Sequence, residues 1–94
     1  MKQPAVYIIT NKKDGVLYTG VTSNLVQRIY THKNGLIDGF SKRYNDDKLV
    51  FYELHETMGF AIAREKQIQA GSRNRKLQLI ETSNPEWLDL FEML

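Results

Sequence analysis

Four residues of different types in one short stretch could do chemistry together: the run from Val16 to His32 brings a tyrosine, Tyr18, a glycine, Gly20, an arginine, Arg28, and a histidine, His32, onto one unit. Val16 to Val21 is crowded with β-branched and aromatic residues and reads as a strand. Gly20 interrupts it, as where backbone must approach another group closely. Ser23 or Asn24 then caps a helix, its side-chain oxygen accepting from orphan N–H groups of the first turn. Arg28 and His32 are four apart on that helix and share a face. A planar guanidinium, an imidazole and a phenol gathered on a strand-to-helix unit suit a phosphate better than a core alone.

A second anomaly lies downstream. The helical pattern from about Met58 to Ala70 carries apolar Ala61, Ile62 and Ile68. Glu65 is four residues from Ala61 and three from Ile62 and Ile68, so it falls within the apolar stripe. A carboxylate on a stripe that faces a core must be paired, protonated or bound to a metal.

The elements that would position these residues follow from the pattern. Ala5 to Thr10 is a first strand, and Asp14-Gly15 is a hairpin signal. Residues 5–10 and 16–21 thus form an antiparallel hairpin. With an even loop, Tyr7 and Tyr18 project from one face; with an odd loop, a bulge is needed to bring them together. A helix over 24–34 follows, ending at Asn34-Gly35. Residues 36–47 are polar and punctuated by glycine and read as a loop, holding Lys42, Arg43 and Tyr44. Residues 49–53 make a third strand, and helices follow over 58–70 and 75–82. Asn84-Pro85-Glu86-Trp87 reads as an N-cap with proline at the first position of a last helix from 85. The expected class is α/β: a three-stranded antiparallel sheet flanked by helices, one domain over residues 1–94.

Composition narrows the function. The 94 residues contain no cysteine, which excludes a disulfide framework and a thiolate zinc site. No apolar run approaches ~20 residues and no signal-peptide core opens the chain, so a cytoplasmic location with no membrane partner is expected. Net charge is only +2. Its distribution is uneven: Arg64, Lys66, Arg73, Arg75 and Lys76 stand against Glu65, whereas residues 77–94 hold Glu81, Glu86, Asp89 and Glu92 with no lysine or arginine. This allows a local anion-binding patch, and a solvated helix face reads equally well.

Taken together these residues resemble the GIY-YIG nuclease family. Ala5-Val6-Tyr7 matches its first signature, and Tyr18-Thr19-Gly20 its second. Arg28 matches the arginine eight residues after that glycine, and Glu65 the acid of a later helix. The chain is most similar to small stand-alone bacterial members, and similar also to the N-terminal nuclease domain of the bacterial excision-repair nuclease. Ala5 replaces the first signature glycine. Val21 stands where repair members often carry a lysine, removing one phosphate-neutralising charge.

The resemblance implies a metal-dependent DNA endonuclease. Glu65 would hold one Mg²⁺ or Mn²⁺, Arg28 would pair with the scissile phosphate, and Tyr7 or Tyr18 would orient or deprotonate the water. His32 would be an auxiliary base or phosphate donor, and Asn84 a candidate for the family's late asparagine. Lys33, Lys42, Arg43, Arg64, Lys66 and Arg73 are candidate DNA contacts, with Arg64, Lys66 and Arg73 in the basic run. Other readings stay open. Tyr7 and Tyr18 could be core aromatics, Asn84 a helix cap, and Glu65 a structural partner of Arg28. The whole chain could be a nucleic-acid-binding module with little catalysis, or bind an acidic protein. A domain this small has little surface for choosing a sequence, so DNA structure or a protein partner would set specificity.

Overall fold

The computed structural model describes residues 2–34 and 48–94. Strands β1 (Ala5–Thr10) and β2 (Leu17–Thr22) form the hairpin, and helix α1 (Leu25–Lys33) follows. Strand β3 (Lys48–Leu54), helices α2 (Met58–Ala70) and α3 (Arg73–Ser83) and a 3₁₀ turn (Leu90–Met93) complete the chain. The sheet is antiparallel in the order β2-β1-β3. The expected loop over 36–47, with Lys42 and Arg43, lies outside the described residues.

Central β1 buries all six of its residues because both faces of the sheet are covered. On one face Val6 and Ile8 join Val50 and Phe51, closed over by Ala61 and Ile68 of α2, Ile80 of α3 and Trp87. On the other, Ala5, Tyr7, Ile9 and Leu49 meet Leu25 and Ile29 of α1, with Leu90 and Phe91 of the 3₁₀ turn beside them. Each large side chain removed from water contributes about 1.5–3 kcal/mol.

Register follows the turn. Thr10 pairs with Leu17, leaving a six-residue loop, so the even-loop geometry holds and Tyr7 and Tyr18 share a face. Asp14 takes a left-handed conformation (φ 58°), which a short polar side chain tolerates. Between β1 and β3 the pairing jumps from Ile8–Phe51 to Ile9–Leu49, so Val50 is the extra residue of a bulge. Its carbonyl accepts from the Asn84 side-chain amide at 3.1 Å.

Several details differ from the pattern: β2 runs Leu17–Thr22, not 16–21, and β3 Lys48–Leu54, not 49–53. Asn24, not Ser23, caps α1, accepting from the Gln27 N–H. Helix α3 starts two residues earlier than its pattern suggested, because Ser72 caps it. The last helix from 85 does not form. Asn84 instead ends α3, and the Trp87 N–H closes a turn onto the Asn84 carbonyl. Trp87 takes φ 56°, which breaks helical continuation and turns its indole into the core. The indole N–H donates to Glu81.

Candidate active site

Tyr7 lies directly opposite Gly20 in the hairpin. A Cβ at residue 20 would stand 2.5 Å from both Cζ and Oη of Tyr7, so only glycine lets the phenol lie across β2. Tyr18 sits one diagonal away, its ring centroid 6.4 Å from that of Tyr7. From the helix side comes His32. Leu25, Ile29 and His32 form the buried stripe of α1, so the imidazole faces the sheet instead of solvent. Its ring lies 6.0 Å from Tyr7 and 5.8 Å from Tyr18, and its Nε2 is 3.3 Å from Tyr7 Oη. Tyr7 and His32 are buried, whereas Tyr18 is half-buried.

Burial sets the protonation of this pair. It pushes the Tyr7 phenol well above the usual tyrosine range, with Tyr18 and Glu65 adding to the rise and Arg28 opposing it. Burial, then the Arg28 charge, lowers His32 below its ordinary value. At neutral pH the contact therefore joins a phenol to a neutral imidazole. Arg28 is exposed and lines a polar recess with Thr22, Asn24 and Gln27.

Glu65 shares a face of α2 with buried Ala61 and Ile68, as its spacing required. It is nonetheless only half-buried, so the expected burden of a fully buried carboxylate is not there. Ile62, counted with the stripe, is 38% exposed. The Gln69 side-chain amide bonds Glu65 and also donates to the Thr19 carbonyl at 3.2 Å, which holds the carboxylate against β2. Among the described residues no ion pair joins Glu65 to Arg28. Tyr7, Tyr18, Arg28, His32 and Glu65 thus surround one hydroxyl: three rings in contact, a cation and an anion within electrostatic reach.

The candidate DNA contacts divide. Lys33 pairs with Asp89 and lies 5.2 Å over the Phe91 ring. Arg64 bonds Glu53 and Gln67. Arg73 clamps the carbonyls of Asp14 and Gly15 at 2.9 and 2.8 Å, fixing the hairpin turn. These three cations are committed to partners within the fold; Lys66 is exposed. Asn84 is also committed: its amide donates to Val50 and Leu88 carbonyls, and its oxygen accepts from the Leu88 N–H. Gln69 was not singled out by the pattern, although its place four residues after Glu65 predicts the contact.

The GIY-YIG catalytic domain model matches residues 3–78. The chain belongs to the GIY-YIG family, a family of nucleases. This GIY-YIG protein is 42% identical over 79 residues to a UPF0213 protein of Clostridium perfringens, covering 84% of each chain. It is 38% identical over 80 residues to a UPF0213 protein of Staphylococcus saprophyticus, covering 85% of this chain and 96% of that protein. The solution NMR structure of a UPF0213 protein from Bacillus halodurans shares the fold, with a TM-score of 0.57 at 22% identity, covering 95% and 93% of the two chains.

Both departures from the GIY-YIG signatures have a structural explanation. Ala5 has no positive φ and is fully buried, so the position does not need glycine's freedom. Val21 pairs with Val6 and packs into the core on the opposite face from Tyr7 and Tyr18. The charge absent at 21 is therefore not missing from the ring cluster's face. Among the described residues no helix is long and apolar enough to cross a membrane.

Proposed function

We propose that this GIY-YIG protein is an endonuclease that hydrolyses DNA phosphodiester bonds with one divalent cation, Mg²⁺ or Mn²⁺. The observation that carries the reading is the buried Tyr7–His32 contact ringed by Tyr18, Arg28 and Glu65. A core aromatic needs neither a neutral imidazole on its hydroxyl nor two opposite charges around it.

Tyr18, the accessible ring, orients the attacking water. Tyr7 holds its own proton too tightly to act as a free phenolate, so it works with His32. As the water proton passes to Tyr7 Oη, the Tyr7 proton passes to His32 Nε2, hydroxide attacks phosphorus and the P–O3′ bond breaks. The imidazolium then gives up its proton, by way of solvent, to the departing 3′ oxygen, which restores His32. Arg28 pairs its planar fork with the non-bridging oxygens as charge develops.

Among the described residues no group of three His, Asp or Glu side chains clusters; by its match to the family's acid, Glu65 would be the carboxylate holding a cation. That donor set fits Mg²⁺ or Mn²⁺, hard ions that keep water and take phosphate oxygens. When bound there, the cation supplies charge neutralisation at the departing 3′ oxygen.

A binding module without catalysis would depend on the basic residues, yet Lys33, Arg64 and Arg73 already have partners in the fold. The catalytic reading uses a site that those partners leave intact. A domain this small has little surface for choosing a sequence, so recognition rests on DNA structure or a protein partner. The test is incubation with branched, nicked and linear DNAs in Mg²⁺ or Mn²⁺. Cleavage that EDTA stops is expected; intact DNA in every combination would overturn the reading.

A further inference from the structure

We propose that Lys76 binds the DNA phosphate next to the one that is cut, guiding the strand over the free edge of β2 onto α3. This rests on the nuclease reading above. Among the described residues strand β2 is an edge of the sheet, paired with β1. Along that edge Leu17, Tyr18, Thr19, Gln69 and Lys76 line a recess of about 250 Å³. Two of its walls belong to the site: Tyr18, and Gln69, which holds Glu65. The recess therefore adjoins the site through Tyr18 and through the amide that bonds Glu65.

Lys76 differs from the other cations nearby. It is half-buried on α3, and among the described residues its ammonium has no hydrogen bond or ion pair. Arg64 and Arg73, on the same basic run, both have partners. An ammonium that lines the recess without an anion of its own is available to a phosphate arriving there. Lys76 also lines the groove between α2 and α3, with Arg64 and Arg75 along its walls. It thus stands where the two concavities meet, with positive charge continuing beyond it. A cation, an amide and a phenol in one narrow recess suit the oxygens of a phosphodiester. They carry no pattern of donors for reading a base edge, so the contact positions the strand without choosing a sequence.

The test is the salt dependence of binding to a labelled nicked or branched DNA that wild type cuts, with Ca²⁺ replacing Mg²⁺ to suppress cleavage. Lys76→Met removes the charge, Lys76→Gln is a polar neutral control, and Lys76→Arg keeps the charge. One lost phosphate contact lowers the slope of log K against log salt by about 0.9, so between 50 and 200 mM salt either neutral variant should lose about 3.5-fold less affinity than wild type. Lys76→Arg should keep the wild-type slope. A packing role would change melting temperature and leave the slope alone. Wild-type slopes in both neutral variants, with wild type binding and cutting DNA, would overturn the assignment of Lys76 alone. A wild type that neither binds nor cuts overturns the nuclease reading itself.

Discussion

Replacing Gly20 with alanine tests the geometry on which the site depends. The added methyl would stand 2.5 Å from Tyr7 Cζ and Oη and 3.0 Å from Cε1, about 1 Å inside ordinary carbon contact. The ring cannot swing out, because Tyr7 is 1% exposed on the central strand. It must shift, and the 3.3 Å contact between Oη and His32 Nε2 is the first to go. Overpacking of this kind costs about 1–3 kcal/mol, and a lost hydrogen bond about 1 more. In a chain of 94 residues, 2 kcal/mol lowers Tm by about 8–16 °C. Urea and thermal unfolding would read this cost, and cleavage well below Tm would read the displaced hydroxyl. Adding Tyr7→Phe removes one of the two closest contacts, so the double variant should lose less stability than the separate losses sum to. A Gly20→Ala protein that melts with wild type and cuts at the wild-type rate would refute the reasoning.

Glu65→Gln should abolish cleavage while leaving stability within about 0.5 kcal/mol of wild type, since Glu65 is half-buried, bonds an amide and leaves no cation unpaired; a large drop in thermal melting would mean that the carboxylate is structural. His32 titrates below its ordinary 6.5 in the fold, so the unfolded chain binds the proton first and stability should fall as pH drops through about 6.5 toward the lower folded value. His32→Gln should flatten urea midpoints between pH 7.5 and 5, a window clear of Asp89, whose own loss begins only below about 3.8. Asn84→Ala should cost on the order of 3 kcal/mol by stranding the buried Val50 carbonyl and the Leu88 N–H, with cleavage by the remaining folded protein preserved.

The hairpin and the first two helices were legible because their signals are local: β-branched runs, Asp14-Gly15, a cap at Ser23 or Asn24, and apolar spacing from Met58 to Ala70. Gly20 announced a close approach, but its partner, Tyr7, is set by register across the turn. The segment after Asn84 misled because Pro85 favours a helix start, while Trp87 reaches the core only through a left-handed backbone. That is a tertiary demand that no neighbouring residue encodes. The basic run was visible, yet whether a guanidinium meets DNA or a carbonyl depends on which turn lies beside it. Arg73 found the turn at Asp14 and Gly15, fifty-nine residues away from Asp14 in sequence. Glu65 was singled out for its place on the apolar stripe, yet the structure leaves its carboxylate half-buried at a rim instead of in a core.

Placing Tyr7 on the central strand ties one member of the site to the opening of the whole fold. Its backbone is paired on both sides, to Gly20 and to Tyr52. Amides in such strands exchange with solvent mainly when the whole domain opens, whereas peripheral elements open at lower free energy. Tyr7 is thus held where the fold opens last, whereas His32 and Arg28 ride on α1, a peripheral helix. On warming, activity lost before the sheet unfolds would report the helices carrying Arg28, His32 and Glu65 away from a Tyr7 that is still in place.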